Sequence, residues 1–564
     1  MKGKRKATRP PTQTAWPKSS GLHILAVFLL TCVVYANSLR NDFNFDDVTI
    51  IRDNPSIRSL ANLPHLFASN YWAGTGFENG VLLYRPLAMA SFAVDYAFWQ
   101  ANPLGFHLTN LLLNGIVAAL LWVLLARLFG DRLGPLPVSL CTLLFALHPV
   151  HTEAVDMVVG RTELLAALFG LLTFIFYLKR WNAAAFAAFF LALLSKESAV
   201  MIPAVIFLYE WLFRRGLKAG RYVIFGGVLA LYLVIRFAVL GGLVAHNQTG
   251  ILSGLDHAAR AFTVIKVLGY YLKLLFVPYP LTPDYSDVPL AHSLLELWVF
   301  APAVILGALL VVAWKTRRTH AAAAYAILWF LATILPVSNI VSIGAFLGER
   351  FLYLPSLALT LGAAALLCRF AAPEWRNRLL AGLTVLALLE AAATCSRNFA
   401  WKNADTLWAD VIVHQPDNPR ANFNMGRKFE RETNYPDALP YYEKSVAVYP
   451  DHNWNPDKRS VAAVKQTMSR LYCSLAIQDF QKQDFPASLD HCRKALDNDA
   501  KNADAWVVLG GICVKTSDVT NAVAAFETAL QIAPDNVEAR ENLNRIKEYS
   551  QRTNPSGFPH PASP

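Results

Sequence analysis

Two adjacent aspartates, Asp46 and Asp47, stand in the segment Asn41-Asp42-Phe43-Asn44-Phe45-Asp46-Asp47, directly beyond the first apolar stretch of the chain. Set between aromatic residues at the end of such a stretch, a carboxylate is partly desolvated. It can then take a proton from a hydroxyl or bind a metal. For the pair alone, two solvated loop acids carry roughly equal weight. A second group is His148-Pro149-Val150-His151-Thr152-Glu153, followed by Asp156 and Arg161. His148, His151 and Glu153 are of the types zinc accepts, although the spacing is weakly specific and hydrogen-bonded interfacial histidines are the plainer reading. Three short segments each set a cation beside apolar sequence: Tyr84-Arg85-Pro86, Ser195-Lys196-Glu197-Ser198 and Glu349-Arg350-Phe351. Arginine grips phosphate bidentately, and a lysine between two apolar runs reaches headgroup depth, so Arg85, Lys196 and Arg350 suit a lipid phosphate. A structural ion pair explains any one of them. Three on one side of a membrane favour a substrate path, which also takes in Glu197 and Glu349.

These residues have to be held by something, and the composition says what. Of 564 residues, 55% are hydrophobic and 16% charged, against about 25% charged in soluble proteins. The larger part is therefore a membrane protein. Apolar runs near the 20 or so residues that cross a bilayer occur at 22–38, 106–129, 134–150, 161–178, 199–213, 222–242, 295–314, 320–337, 350–370 and 377–395, with a shorter run at 182–194. Counting the short one predicts about eleven spans. With the basic N-terminus cytoplasmic, Arg and Lys fall on every cytoplasmic connection, and segments 39–105, 151–160, 195–198, 243–294, 338–349 and all that follows 396 fall outside, as the positive-inside rule requires. The count needs Ala258 to Val277 to lie along the outer interface as an amphipathic helix.

The net charge of +11 follows from those cytoplasmic loops and makes nucleic-acid binding a poor reading. The seven cysteines lack any CxxC spacing, which argues against a disulfide framework and a cysteine zinc site. The N-terminal basic stretch reads as the flank of a retained signal anchor. Asn247-Gln248-Thr249 fits an N-glycosylation acceptor, a weak pattern.

After Ser396 hydropathy falls and a repeat sets in. Gly426, Ala438, Tyr442 and Pro450, then Trp506, Leu509, Gly510, Ala522, Phe526, Ala529 and Pro534, occupy tetratricopeptide-repeat positions. A weaker unit lies at Ala476, Ser488, Cys492 and Ala495, and a half unit at Ala404, Trp408 and Pro416. Pro416 and Pro450 are one period of 34 residues apart; the polar stretch from Asp451 interrupts the next. The expected organisation is a basic tail (1–20), a transmembrane domain (21–396) whose first outer loop is 39–105, a repeat domain (397–552) and a disordered tail (553–564).

Taken together, Phe45-Asp46-Asp47, Tyr84-Arg85-Pro86-Leu87, His148 to Glu153, Gly160-Arg161-Thr162-Glu163, Ser195-Lys196-Glu197, Leu335-Pro336-Val337-Ser338-Asn339 and Glu349-Arg350-Phe351-Leu352-Tyr353-Leu354-Pro355-Ser356 make the chain resemble membrane glycosyltransferases of the GT-C fold. It is most similar to the transmembrane and tetratricopeptide-repeat O-mannosyltransferases, known in animals for acting on cadherins, and their bacterial relatives. The resemblance implies an all-α polytopic GT-C core of about eleven spans with a C-terminal repeat solenoid. It implies a polyprenyl- or dolichyl-phosphate sugar as donor, with mannose favoured, and Ser/Thr hydroxyls of exported proteins as acceptors, joined by an inverting single displacement. It assigns the catalytic base to Asp46 or Asp47. No cofactor is firmly implied and no metal is predicted, although a divalent ion at His148, His151 and Glu153 stays open. The array has about three full units, shorter than in animal members, which leaves a glycolipid or glycan acceptor as the alternative. A repeat-bearing membrane scaffold without catalysis is the alternative of another class, at about one in ten, since charges gathered at span ends exceed what an anchor needs. The compact array favours a bacterial cytoplasmic membrane over the endoplasmic reticulum, with the active site and the repeats on the periplasmic or lumenal side.

Overall fold

A computed structural model describes residues 19–76, 82–213, 216, 219–242, 252, 255–285, 287–341, 345–370, 372–447 and 458–553. The basic residues of the N-terminal tail, Asn247, the insert around Asp451 and the tail beyond Thr553 lie outside these. The described residues are helical and contain no strand. The chain forms two compact units, Met1–His414 and Gln415–Pro564.

In the first unit the order is α1 (Ser20–Val34), α2 (Leu63–Phe67), α3 (Pro86–Trp99), α4 (Pro103–Leu133), α5 (Pro135–Ala146), α6 (Thr152–Asp156), α7 (Arg161–Leu178), α8 (Asn182–Ser195), α9 (Ile202–Phe213) and α10 (Ala219–Leu240). There follow α11 (His257–Phe276), α12 (Leu297–Thr316), α13 (Ala321–Ile334), α14 (Leu357–Arg369), α15 (Pro373–Ala400) and α16 (Ala404–His414). Each of the apolar runs coincides with one helix. Among the described residues, six helical segments are long and apolar enough to cross a membrane, and a seventh if the bent pair of α5 with Pro149–Asp156 is one span. The polar stretch from Ala258 is α11, started by Asp256, whose side chain accepts from the Ala259 N–H at 2.7 Å, and it is not among those candidates.

Lipid tails give helices no hydrophobic reason to associate, so close packing and buried hydrogen bonds must join them. Gly115 on α4 lets α1 approach until a Cβ there would meet the Phe28 ring at 2.8 Å. The Trp122 indole donates to Ser139 Oγ at 2.9 Å, Trp329 to the Leu354 carbonyl at 3.1 Å and Tyr325 to the Val205 carbonyl at 3.1 Å.

At one end of the bundle the loop between α1 and α4 folds into a cap with its own core of Phe43, Ile50, Tyr71, Phe92, Phe106 and Trp401. Asn44 Nδ2 donates to the Trp401 carbonyl at 2.6 Å and the Asp42 N–H to the Lys402 carbonyl at 2.8 Å, which pins the cap to the end of α15. The half repeat read at Ala404 and Trp408 is α16, and it belongs to this unit: Trp408 packs on Phe45 at 5.7 Å and Arg397 pairs with Asp410.

The second unit stacks α17 (Pro419–Arg431) on α18 (Tyr435–Ala447), α19 (Lys458–Gln481) on α20 (Phe485–Asn498) and α21 (Ala503–Lys515) on α22 (Val519–Ile532), and ends on α23 (Val537–Thr553). Asn418, Asp484, Asn502 and Asp518 recur as caps, each accepting from a backbone N–H three residues on. A Cβ at Gly426 would meet Tyr442 at 2.9 Å, and one at Gly510 would meet Phe526 at 2.7 Å. Those contacts are why the repeat puts glycine opposite an aromatic.

Candidate active site

The adjacent aspartates are placed quite differently. Phe45 adopts the left-handed region at φ 53°, a conformation that costs a bulky residue about 1–2 kcal/mol and persists only where packing imposes it. Beyond this kink Asp47 is buried. Its Oδ1 accepts from the Val159 N–H at 2.8 Å, and its Oδ2 from Val158 at 3.0 Å and from Asn44 at 3.3 Å. Burial pushes its carboxyl up to about 7 against the pull of those three donors. A raised value would suit a base, but geometry comes first: both oxygens are enclosed by backbone. Asp46 is half-buried and makes no hydrogen bond or ion pair among the described residues. Its charge acts on Tyr71 and on Arg350.

Arg85, just ahead of α3, puts Nε and Nη2 on Glu197 Oε2 at 3.1 and 3.0 Å. Arg236 of α10 approaches the other Glu197 oxygen at 3.5 Å. Burial alone would raise the Glu197 carboxyl, but the two guanidiniums hold it at about 2. Lys196, at the end of α8, is buried and paired with Glu163 of α7, while Arg350 is paired with Glu153 of α6. The Phe351 ring joins these two pairs, with Lys196 Nζ 4.8 Å and the Arg350 guanidinium 5.0 Å from its centroid. Tyr71 lies 5.3 Å from the Arg85 guanidinium. Burial pulls the Lys196 ammonium down to about 8, with Glu163 opposing and Arg85 and Arg350 assisting. Four cations (Arg85, Lys196, Arg236, Arg350) thus meet four carboxylates, of which Glu153, Glu163 and Glu197 are held in ion pairs while Asp46 acts on Arg350 without a hydrogen bond.

Other residues singled out in the sequence hold the frame. Arg161 is buried and reaches Asp95 at 2.5 Å, Asn110 Oδ1 at 2.7 Å and the Phe106 carbonyl at 3.0 Å, which joins α7 to α3 and α4. His148 Nε2 meets the Leu275 carbonyl at 3.1 Å, and its Nδ1 accepts from the Val150 N–H at 3.2 Å. His151 Nε2 meets Ser356 Oγ at 2.8 Å, its ring wedged between Phe145 and Tyr353. With Glu153 turned to Arg350, these three do not converge, and no metal-holding group of three occurs among the described residues. Glu349 Oε1 accepts from the Tyr285 hydroxyl at 2.9 Å and from the Thr282 N–H.

Sequence reasoning did not select Tyr71, Arg236 or Phe351, and it left Glu163 without a role. A lone arginine near the end of an apolar helix is a usable signal for Arg236; no comparable signal marks Tyr71.

Fold and site define a multi-pass α-helical membrane protein with a charged cluster at one end of its bundle and a tetratricopeptide solenoid after it. Comparison with known proteins agrees with both halves. Residues 474–537 match a tetratricopeptide repeat family model. The chain is 28% identical over 492 residues to the mouse protein O-mannosyl-transferase TMTC3, covering 77% of this chain and 52% of that protein. It is 28% identical over 524 residues to Drosophila melanogaster Tmtc3, covering 77% and 56%, and 27% identical over 454 residues to Caenorhabditis elegans F38B6.6, covering 76% and 64%. Both of the latter also carry the name protein O-mannosyl-transferase. The resemblance drawn from the motifs is thus met, while the chain spans about half the length of the first of these relatives.

Proposed function

We propose that the chain is a membrane glycosyltransferase that moves mannose from a polyprenyl- or dolichyl-phosphate carrier to Ser or Thr hydroxyls of exported proteins. One observation carries the reading: Arg85, Lys196 and Arg350 lie close enough for their charges to act on one another, a set suited to a phosphodiester, and Asp46 beside Arg350 is a carboxylate left without a hydrogen bond among the described residues. The relatives, named as protein O-mannosyl-transferases, support it.

In this reading Arg350, Lys196 and Arg85 hold the phosphate, and Asp46 faces the acceptor. The hydroxyl oxygen attacks the anomeric carbon as the bond from that carbon to the phosphate oxygen breaks, and the hydroxyl proton passes to Asp46. The phosphate leaves with its developing charge met by the cations, and the anomeric centre inverts. Asp47 positions the loop instead. Its grip on the Val158 and Val159 N–H groups sets the cap against the turn before α7, so the kink at Phe45 presents Asp46.

The test is donor binding. Arg350→Gln should weaken polyprenyl-phosphate mannose about tenfold or more, as expected for a lost charge-assisted contact, with the loss shrinking as salt rises. Unchanged affinity would remove Arg350 from the phosphate site.

A further inference from the structure

Behind Arg350 lies a second set of buried polar atoms that the transfer step does not use. The Arg397 side chain, 9% exposed, gives Nη1 to Asp410, yet its buried Nε and Nη2 have no hydrogen-bond partner among the described residues. Both carboxylate oxygens of Asp156 and Oε2 of Glu349 are likewise buried and unpartnered, and both residues are fully enclosed. The Ser38 hydroxyl near Asp156 is already committed to the Tyr35 carbonyl at 2.6 Å. The elements that carry them are neighbours: α6, which ends at Asp156, packs on both α15, which carries Arg397, and the turn that starts at Glu349. The Arg397 charge acts on Asp156, Glu349 and Tyr285 alike.

Leaving such groups unmade in a buried place is costly, about 1–3 kcal/mol for each, and several in one spot point to a ligand. Its chemistry can be narrowed. An anion would meet two carboxylates, and a simple cation would meet the guanidinium in a place without metal-holding geometry. A neutral polyol suits both, since every hydroxyl can donate to a carboxylate and accept from the open edge of the guanidinium. Glu349 also precedes Arg350 in the chain, so a group attached to a phosphate on Arg350 would lie beside it.

We infer that Arg397, Asp156 and Glu349 form the pocket that holds the hexose of the lipid-linked donor by its hydroxyls and so selects the sugar. The inference rests on the donor reading above and goes further by locating where the sugar, as opposed to the phosphate, is read.

Binding of polyprenyl-phosphate mannose and of sugar-free polyprenyl phosphate to the purified full chain in nanodiscs tests it. Asp156→Asn, Glu349→Gln and Arg397→Lys nearly keep side-chain volume, and the last keeps a cation for Asp410; thermal melting checks their folding. Each should weaken the mannosyl lipid about ten- to a hundredfold while the bare lipid phosphate stays within about twofold. Equal losses for both lipids, or none, would overturn the inference. The parent protein supplies an arm that needs no variant: mannosyl lipids lacking single hydroxyls should bind about tenfold more weakly at one ring position at least, and equal binding of them all would also overturn it. If the parent bound neither lipid, the donor reading itself would fall, and the hexose pocket with it.

Discussion

Two neighbouring aspartates are placed differently because three backbone N–H groups grip Asp47 and, among the described residues, none grips Asp46. Asp47 is a brace whose three backbone donors make it intolerant of an amide: Asp47→Asn would set an NH2 against an N–H and cost about 1–3 kcal/mol of stability, seen as a lower thermal midpoint. Asp46→Asn, at an unpartnered site, should leave that midpoint unchanged. Equal shifts in the two variants would contradict the division. Lys196 gives the pH dependence. Below about 8 its ammonium carries the charge the phosphate needs, and above that value the proton is lost, so donor affinity should fall as pH rises through about 8. Lys196→Arg should move that fall to higher pH; an alkaline limb that stays in place would assign it to another group. The acid pair and three of the cations could be read from the sequence because charge beside apolar sequence is rare. The split between Asp46 and Asp47 could not, because it depends on where the Val158 and Val159 amides point. Nor could Glu153, Glu163 and Glu197 be matched to their cations, since each pair joins segments distant in the chain.

The helices were legible almost one for one, since an apolar run that must satisfy its own backbone has few options but helix. Sequence alone could not show how the cap between α1 and α4 fastens to the end of α15 through Asn44 and Trp401. The turn ahead of α7 is a second such device. A Cβ at Gly160 would fall 2.4 Å from the Ala154 carbonyl oxygen, so only glycine lets that turn close and present its amides to Asp47. Arg161, read from the sequence as part of the active-site loop, ties three helices instead. Arg161→Lys keeps the charge but cannot span Asp95, Asn110 and the Phe106 carbonyl together. It should destabilise the protein by about 3–5 kcal/mol, as breaking a buried ion pair does, with donor affinity in the surviving folded fraction little changed. A large affinity loss without a change in melting would place Arg161 in the site after all.

One unit of the chain carries the charged bundle end and the other is an α-solenoid built from caps and glycine–aromatic contacts, and stacked repeats of that kind offer extended surfaces for polypeptide. That pairing is why an acceptor protein, and not a small glycan, heads the functional reading. Sugar transfer tests it most directly: the purified full-length chain, polyprenyl-phosphate mannose labelled in the sugar, exported proteins as acceptors, and Asp46→Asn alongside. Label should appear on protein with the parent and fall by about a hundredfold or more with Asp46→Asn at unchanged melting temperature. Label transferred at the parental rate by the folded Asp46→Asn variant would contradict it.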